Sequence, residues 1–263
     1  MQKSAQKTSA WSERTESSKY GNGPVDRGYI GHKAAKMMKR SKSIESRQNQ
    51  AIEEKSGLLK NLETAENLKI SALQYHAQSL VSLSDVEVCY DGRSVNAPVS
   101  FKIQQGERVV LDGKNGSGKS SLLKILTGAP IEHTGTVNIG SGLLISYVPQ
   151  DTSHLKGTLS DFAEENHIDE SQFKAILRKM DFERIQFEKN MEDFSGGQKK
   201  KVLIAKSLCE QAHLYIWDEP LNFIDIYSRM QIEQLIKEYS PAMILVEHDK
   251  AFRDSIATRI VEL

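Results

Sequence analysis

The 263-residue sequence predicts an α/β domain preceded by a basic helical segment, and three observations carry that prediction. From Val81 onward, short apolar runs of strand-like composition alternate with helical stretches. A Gly-x-x-x-x-Gly-Lys-Ser segment, residues 113–120, stands between one such strand and one such helix. Charge is also unevenly spread. Residues 1–80 hold 14 Lys/Arg against 8 Asp/Glu and the remainder 21 against 27, so a net charge of zero hides a basic front and an acidic back.

Taken in order, residues 1–20 are polar and free of helix breakers, consistent with a helix of little apolar surface. Gly21, Asn22, Gly23 and Pro24 mark a turn. From Tyr29 to about Leu73 there is no proline, and Met37, Met38, Ile44, Ile52, Leu58, Leu59 and Leu62 recur at roughly helical spacing. Two helices around a short loop give an αα-hairpin over residues 1–79. Its second helix opens with Arg27, Lys33, Lys36, Lys39, Arg40, Lys42 and Arg47. That cluster fits either an anionic partner or a solvated helical arm. Residues 80–263 form the α/β domain. Strands are expected at VSLSDVEVCY, ERVVLDG, GTVNI, LLISYV, LYIW, MILV and RIVEL, and helices near 119–127, 159–180, 197–210 and 228–239. Cys89 and Cys209 lie far apart in no metal-binding spacing, so reduced thiols are expected. No run approaches the roughly 18 apolar residues of a membrane span, and the N-terminus is too polar for a signal peptide. A cytoplasmic protein is the expectation.

Three segments carry chemistry. In Gly113-Lys114-Asn115-Gly116-Ser117-Gly118-Lys119-Ser120-Ser121, the glycines let backbone N–H groups close around phosphate oxygens, and the helix N-terminus adds partial positive charge. Lys119 is placed for the β- and γ-phosphates and Ser120 for Mg²⁺. The strand LYIW ends in Asp218 and Glu219, the first suited to Mg²⁺ and the second to polarising an attacking water; with a phosphate loop about 100 residues upstream, that ending gains weight. Phe194-Ser195-Gly196-Gly197-Gln198 precedes a helical run, and its serine and glycines again offer donors to a phosphate, or simply cap a helix.

With Gln198 lying 20 residues before Asp218, this arrangement resembles the ATP-binding cassette (ABC) nucleotide-binding domain over essentially all of residues 80–263. The resemblance implies a P-loop NTPase fold with a RecA-like core, an antiparallel β subdomain and a helical subdomain. It implies Mg-ATP as substrate and cofactor, with Glu219 and His248 catalytic and Ser120, Gln150 and Asp218 around the metal. It also implies an adenine-stacking role for Tyr90, the Q-loop role for Gln150, the D-loop role for Asp225, and the switch role at the γ-phosphate for His248. Ser195, Gly196, Gly197 and Gln198 match the signature motif, which in this family completes the site of an opposing cassette. Phe194 stands where leucine is commoner, Leu221-Asn222 where Thr-Ser or Thr-Asn is frequent, and Glu247 where a small polar residue is common.

More narrowly, GYIGHKAAKMMKRSKSIESRQNQAIEEKSGLLKN, EPLNFID and VEHD resemble the linker and second cassette of ABC-F proteins, in particular the antibiotic-resistance group acting on lincosamides, pleuromutilins and streptogramins A. That resemblance implies action on the ribosome with no membrane partner, contact with rRNA and tRNA through the basic linker, and a second ABC cassette as partner, either a first cassette outside this chain or another copy of the chain in a homodimer. An ATPase subunit of a membrane transporter and a fragment without independent activity are the alternatives.

Overall fold

The computed structural model describes residues 68–263. The expected αα-hairpin and its basic cluster therefore lie outside the described residues, apart from the stretch 68–79.

Two sheets meet in the described part. In the first, the long strand β1 (Ser79–Tyr90) is central and antiparallel to its neighbours β2 (Arg93–Ser94), β3 (Val99–Gln104) and β5 (His133–Ile139). A two-residue turn, Asp91-Gly92, with both residues in the left-handed region, joins β1 to β2 and sets Tyr90 opposite Arg93 at the tip of that hairpin. The second sheet is wholly parallel, in the order β6-β7-β8-β4-β9. It comprises β4 (Arg108–Asp112), β6 (Ile145–Val148), β7 (Leu214–Asp218), β8 (Met243–Val246) and β9 (Arg259–Glu262).

Every residue of β7 and β8 is buried, the mark of strands covered on both faces. Successive residues point to opposite sides. Val110, Tyr215, Trp217, Met243 and Leu245 join a core with the helices α2 (Leu159–Glu165), α3 (Glu170–Lys179), α4 (Gly196–Cys209), α5 (Ile226–Tyr239) and α6 (Lys250–Ile256). Val109, Leu111, Leu214, Ile216 and Ile244 join the other core, with α1 (Lys119–Leu126) and the antiparallel sheet.

The expected α/β class and most elements appear where the sequence placed them, with three differences. The helix expected over 159–180 is two helices, because Asn166 caps α2, His167 turns into the left-handed region (φ 54°) and Asp169 caps α3 through a bond from the Gln172 N–H. The strands β2 and β3 and the helix α6 were not anticipated. The packed unit also takes in residues ahead of the expected boundary at 80. Leu68, Ile70 and Tyr75 are buried, the Leu73 N–H donates to Ala212 O at 2.8 Å, and the Tyr75 hydroxyl donates to Ser141 O at 2.7 Å. The Gln105 side chain accepts from the Tyr75 N–H and donates to the carbonyls of Tyr75 and Ala77.

Candidate nucleotide site

The carboxyl ends of four adjacent parallel strands supply the site, as expected of an open α/β sheet. The phosphate loop follows β4, Gln150 follows β6, Asp218 and Glu219 close β7, and Glu247 and His248 follow β8. Of these segments, Asn115, Gly116, Gly118, Lys119, Ser120, Ser121, Gln150, Glu219 and His248, together with Tyr90, are among the walls of a cavity of about 510 Å³.

The loop owes its shape to left-handed backbone at Gly116 (φ 83°) and Gly118 (φ 84°), a conformation that disfavours any side chain. It delivers the chain into α1 at Lys119, whose N-terminus is suited to anions. Lys119 is buried, and its Nζ donates to the carbonyls of Gly113 and Lys114 at 2.7 and 2.9 Å, so the ammonium sits on the loop. Gly113 and Ser117 are not among the residues that wall the cavity: a Cβ on Gly113 would meet Leu263 O and Ser117 Oγ, and Ser117 Oγ is itself buried. The Tyr90 hydroxyl bonds Ser121 Oγ at 2.7 Å, tying this lining residue to the start of α1.

Asp218 is fully buried, and neither of its carboxylate oxygens is held by a hydrogen bond of normal geometry. Burial pushes its carboxyl above the usual range. The adjacent Glu219 charge adds to that shift, while the Ser120 hydroxyl and the Lys200 and Lys124 ammonium groups pull the other way. Two buried, unengaged oxygens beside a serine hydroxyl suit a divalent cation of the hard, oxygen-seeking kind. Asp218 and Ser120 fit Mg²⁺ on that ground; Gln150 is bonded through its Nε2 to Glu219.

Glu219 stands in the left-handed region (φ 48°), its N–H bonded to Val246 O. Three side chains converge on its carboxylate: Gln150 Nε2 at 2.8 Å, Asn222 Nδ2 at 2.5 Å and His248 Nε2 at 3.2 Å. The three donors thereby hold the carboxylate at the cavity wall, where it can orient a water.

The signature residues and Asp225 lie apart from this cavity. Ser195 caps α4 in a capping box with Gln198. Gly196 and Gly197 lie against Phe223, and a Cβ on Gly197 would come within 2.3 Å of Phe223 O, so only glycine fits there. Asp225 caps α5 through the Ser228 N–H and pairs with Lys201 at 2.7 Å. Burial opposes ionisation of Asp225, but the Lys201 and Ser228 bonds outweigh it and hold its carboxyl below the usual range.

Sequence reading missed three groups. Asn222 steadies Glu219. Glu247 is buried behind His248. Lys200, also buried, donates to the carbonyls of Pro149 and Asp218, tying the signature helix to both the Gln150 segment and β7. Burial lowers the Lys200 pKa, while Asp218, Glu219, Glu247 and Asp151 oppose that shift. Alongside, Ser207 on α4 bonds both Ser146 Oγ of β6 (2.6 Å) and Trp217 Nε1 of β7 (2.9 Å).

Residues 96–222 match the protein family described as ABC transporter. The chain is 25% identical to ABC transporter F family member 2 of Arabidopsis thaliana over 97% of its own length and 38% of that protein. It is 29% identical to the ATP-binding protein Uup of Buchnera aphidicola subsp. Acyrthosiphon pisum over 76% of its length and 35% of that protein. It is 30% identical to the Uup protein of Caulobacter vibrioides over 70% of its length and 32% of that protein. The chain thus spans about a third of the length of these relatives. A solved structure titled "Structure of ATP binding subunit of ABC transporter" shares the fold, with a TM-score of 0.56 at 24% identity over 70% of this chain and 85% of that one.

Proposed function

From the premise that this chain carries an ATP-hydrolysing ABC domain, we propose that it is the linker and second cassette of an ABC-F protein that works on the ribosome from the cytoplasm. The observation that carries the two-cassette part is the separation of Ser195–Gln198 from the cavity of the chain's own phosphate loop. A transition state with charge spread over the γ-phosphate needs donors from all sides. The loop, Lys119 and His248 supply one side, and the signature of an opposing cassette supplies the other. Beside the signature glycines, Phe223 (83% exposed), Ile226 (78%) and Met230 form an exposed apolar patch suited to that partner.

In this reading Tyr90 stacks on the base, Lys119 and the loop amides bind the phosphates, and Glu219 takes the proton of the attacking water. His248 and Gln150 hold the Glu219 carboxylate in place, and His248 reaches the terminal phosphate. Ser120, Asp218 and Gln150 would hold Mg²⁺, which neutralises phosphate charge when bound.

The ribosomal part is supported by the ABC-F names of relatives, one of which aligns over 97% of the chain, and by the basic residues between Arg27 and Arg47. The resistance assignment rests on the resemblance of the phrases EPLNFID and VEHD and of the linker segment. Two measurements test the proposal. ATP turnover by the purified chain should rise more than linearly with protein concentration. A monomer turning over at about 1 per second, where no dimer is detected, would sink the composite-site argument. Co-sedimentation with ribosomes should weaken steeply between about 50 and 200 mM salt. Neutralising Lys33, Lys36, Lys39, Arg40, Lys42 and Arg47 should flatten that dependence. An unchanged slope identifies a merely solvated arm, and recovery with membrane vesicles instead of ribosomes favours the transporter reading.

A further inference from the structure

The strand β8 reads Met243-Ile244-Leu245-Val246, and the next residue, still buried at 4% exposure, is a glutamate. A carboxylate at the end of a fully buried apolar strand requires compensation. Among the described residues the hydrogen bonds to Glu247 come from backbone N–H groups, and the Lys200 ammonium adds an opposite charge nearby. Its Oε1 accepts from the N–H groups of His248 (2.8 Å) and Asp249 (3.3 Å), and its Oε2 accepts from the N–H of Leu221 (3.2 Å). The first two donors lie in the loop that follows β8. The third lies in the segment that follows Glu219, 26 residues away. These two segments carry the partners of one contact, His248 Nε2 to Glu219 Oε1 at 3.2 Å. Glu247 does not border the cavity.

We propose that Glu247 is a positioning residue, a clamp fastening the His248 loop to the Glu219 segment so that the imidazole is presented to the terminal phosphate of bound nucleotide. The proposal rests on the reading of His248 as a γ-phosphate contact. The carboxylate shape is what the clamp requires: both oxygens accept, and they accept on opposite sides. A glutamine offers one acceptor and one donor, so at least one backbone N–H faces another donor. A serine can serve the N–H groups of its own loop but cannot span to Leu221.

The test is the ratio of ATP to ADP affinity, measured by calorimetry on the full chain in excess Mg²⁺. The two nucleotides share everything but the terminal phosphate. A general loosening of the fold therefore weakens both and leaves the ratio unchanged. His248→Ala should lower the ratio about tenfold, as for loss of a hydrogen bond to a charged group. Glu247→Gln and Glu247→Ser should each lower it several-fold, and the double variant Glu247→Gln/His248→Ala should fall no further than His248→Ala alone. If His248→Ala lowers the ratio while both Glu247 variants keep the parental value, the clamp is overturned and the His248 reading stands. If His248→Ala itself leaves the ratio unchanged, the γ-phosphate reading falls and the clamp falls with it. Should Glu247→Gln fail to fold, the ratio for Glu247→Ser decides.

Discussion

At the scale of single residues, function is written as local discomfort. Asp218 is a buried carboxylate whose oxygens nothing holds firmly, and Glu219 adopts a backbone conformation that non-glycine residues avoid. The sign of the Asp218 shift decides its effect on stability. Its folded pKa is raised, so it contributes stability that is fully present below the unfolded value of about 3.9 and is lost as pH rises through the folded value. Asp225 has the opposite sign: its contribution is present above the unfolded value and lost as pH falls through the depressed folded one. Near neutral pH, Asp218→Asn should therefore raise the melting temperature of nucleotide-free protein by a few degrees, corresponding to about 1 kcal/mol. Mg-ATP should raise the parent's melting temperature more than the variant's. Thermal unfolding with and without Mg-ATP checks this, and a lower melting temperature for nucleotide-free Asp218→Asn would show that the buried charge is already compensated.

At the scale of elements, the helix α4 does two things at once. Its N-terminus carries the signature glycines, and one turn along, Lys200 fastens it to the carbonyls of Pro149 and Asp218. Lys200→Met keeps the aliphatic stem and removes both bonds, orphaning two acceptors and stripping Asp218 and Glu219 of a nearby cation. We expect a loss of about 1–3 kcal/mol in urea unfolding. Unchanged stability would mean the two carbonyls find other donors. None of this was legible in the sequence, where Lys200 reads as one of three consecutive lysines in Lys199-Lys200-Lys201. Motifs were legible because their chemistry is local: the loop glycines, the strand ending in two carboxylates, the Ser-Gly-Gly-Gln cap. Lys200 and Glu247 act across chain separations on backbone groups that leave no trace in residue identity, whereas Asn222 acts on Glu219 only three residues away, through a side-chain contact that residue identity does not specify. Other omissions were readable. The strand VSFKIQ alternates buried and exposed along its whole length, and Asn166 and Asp169 are cap residues that foretell the break between α2 and α3. The helix α6, seven residues long, is too short for periodicity to reveal.

At the scale of the described molecule, residues 68–78 are a strap joining both cores, with Leu68 and Ile70 in the helical one and Tyr75 in that of the antiparallel sheet. A variant beginning at residue 80 should lose several kcal/mol relative to one beginning at residue 68: three buried apolar side chains at about 1.5–3 kcal/mol each, with the Gln105 bonds besides. Against a usual domain stability of about 5–15 kcal/mol, that loss decides whether the domain stays folded. Equal melting temperatures for the two would assign the strap no structural weight. The strap touches Ala212, two residues before β7 begins, and β7 ends in Trp217 and Asp218. Trp217 is one of two tryptophans in the chain, the other being Trp11. Its indole lies fully buried against the helical core, bonded to α4 and covalently next to Asp218, the carboxylate proposed to hold Mg²⁺. With Trp11 replaced by phenylalanine, the emission of this single indole becomes an optical gauge built into the protein. Its colour and intensity report, without any added dye, when α4 shifts against the strand that carries the chemistry.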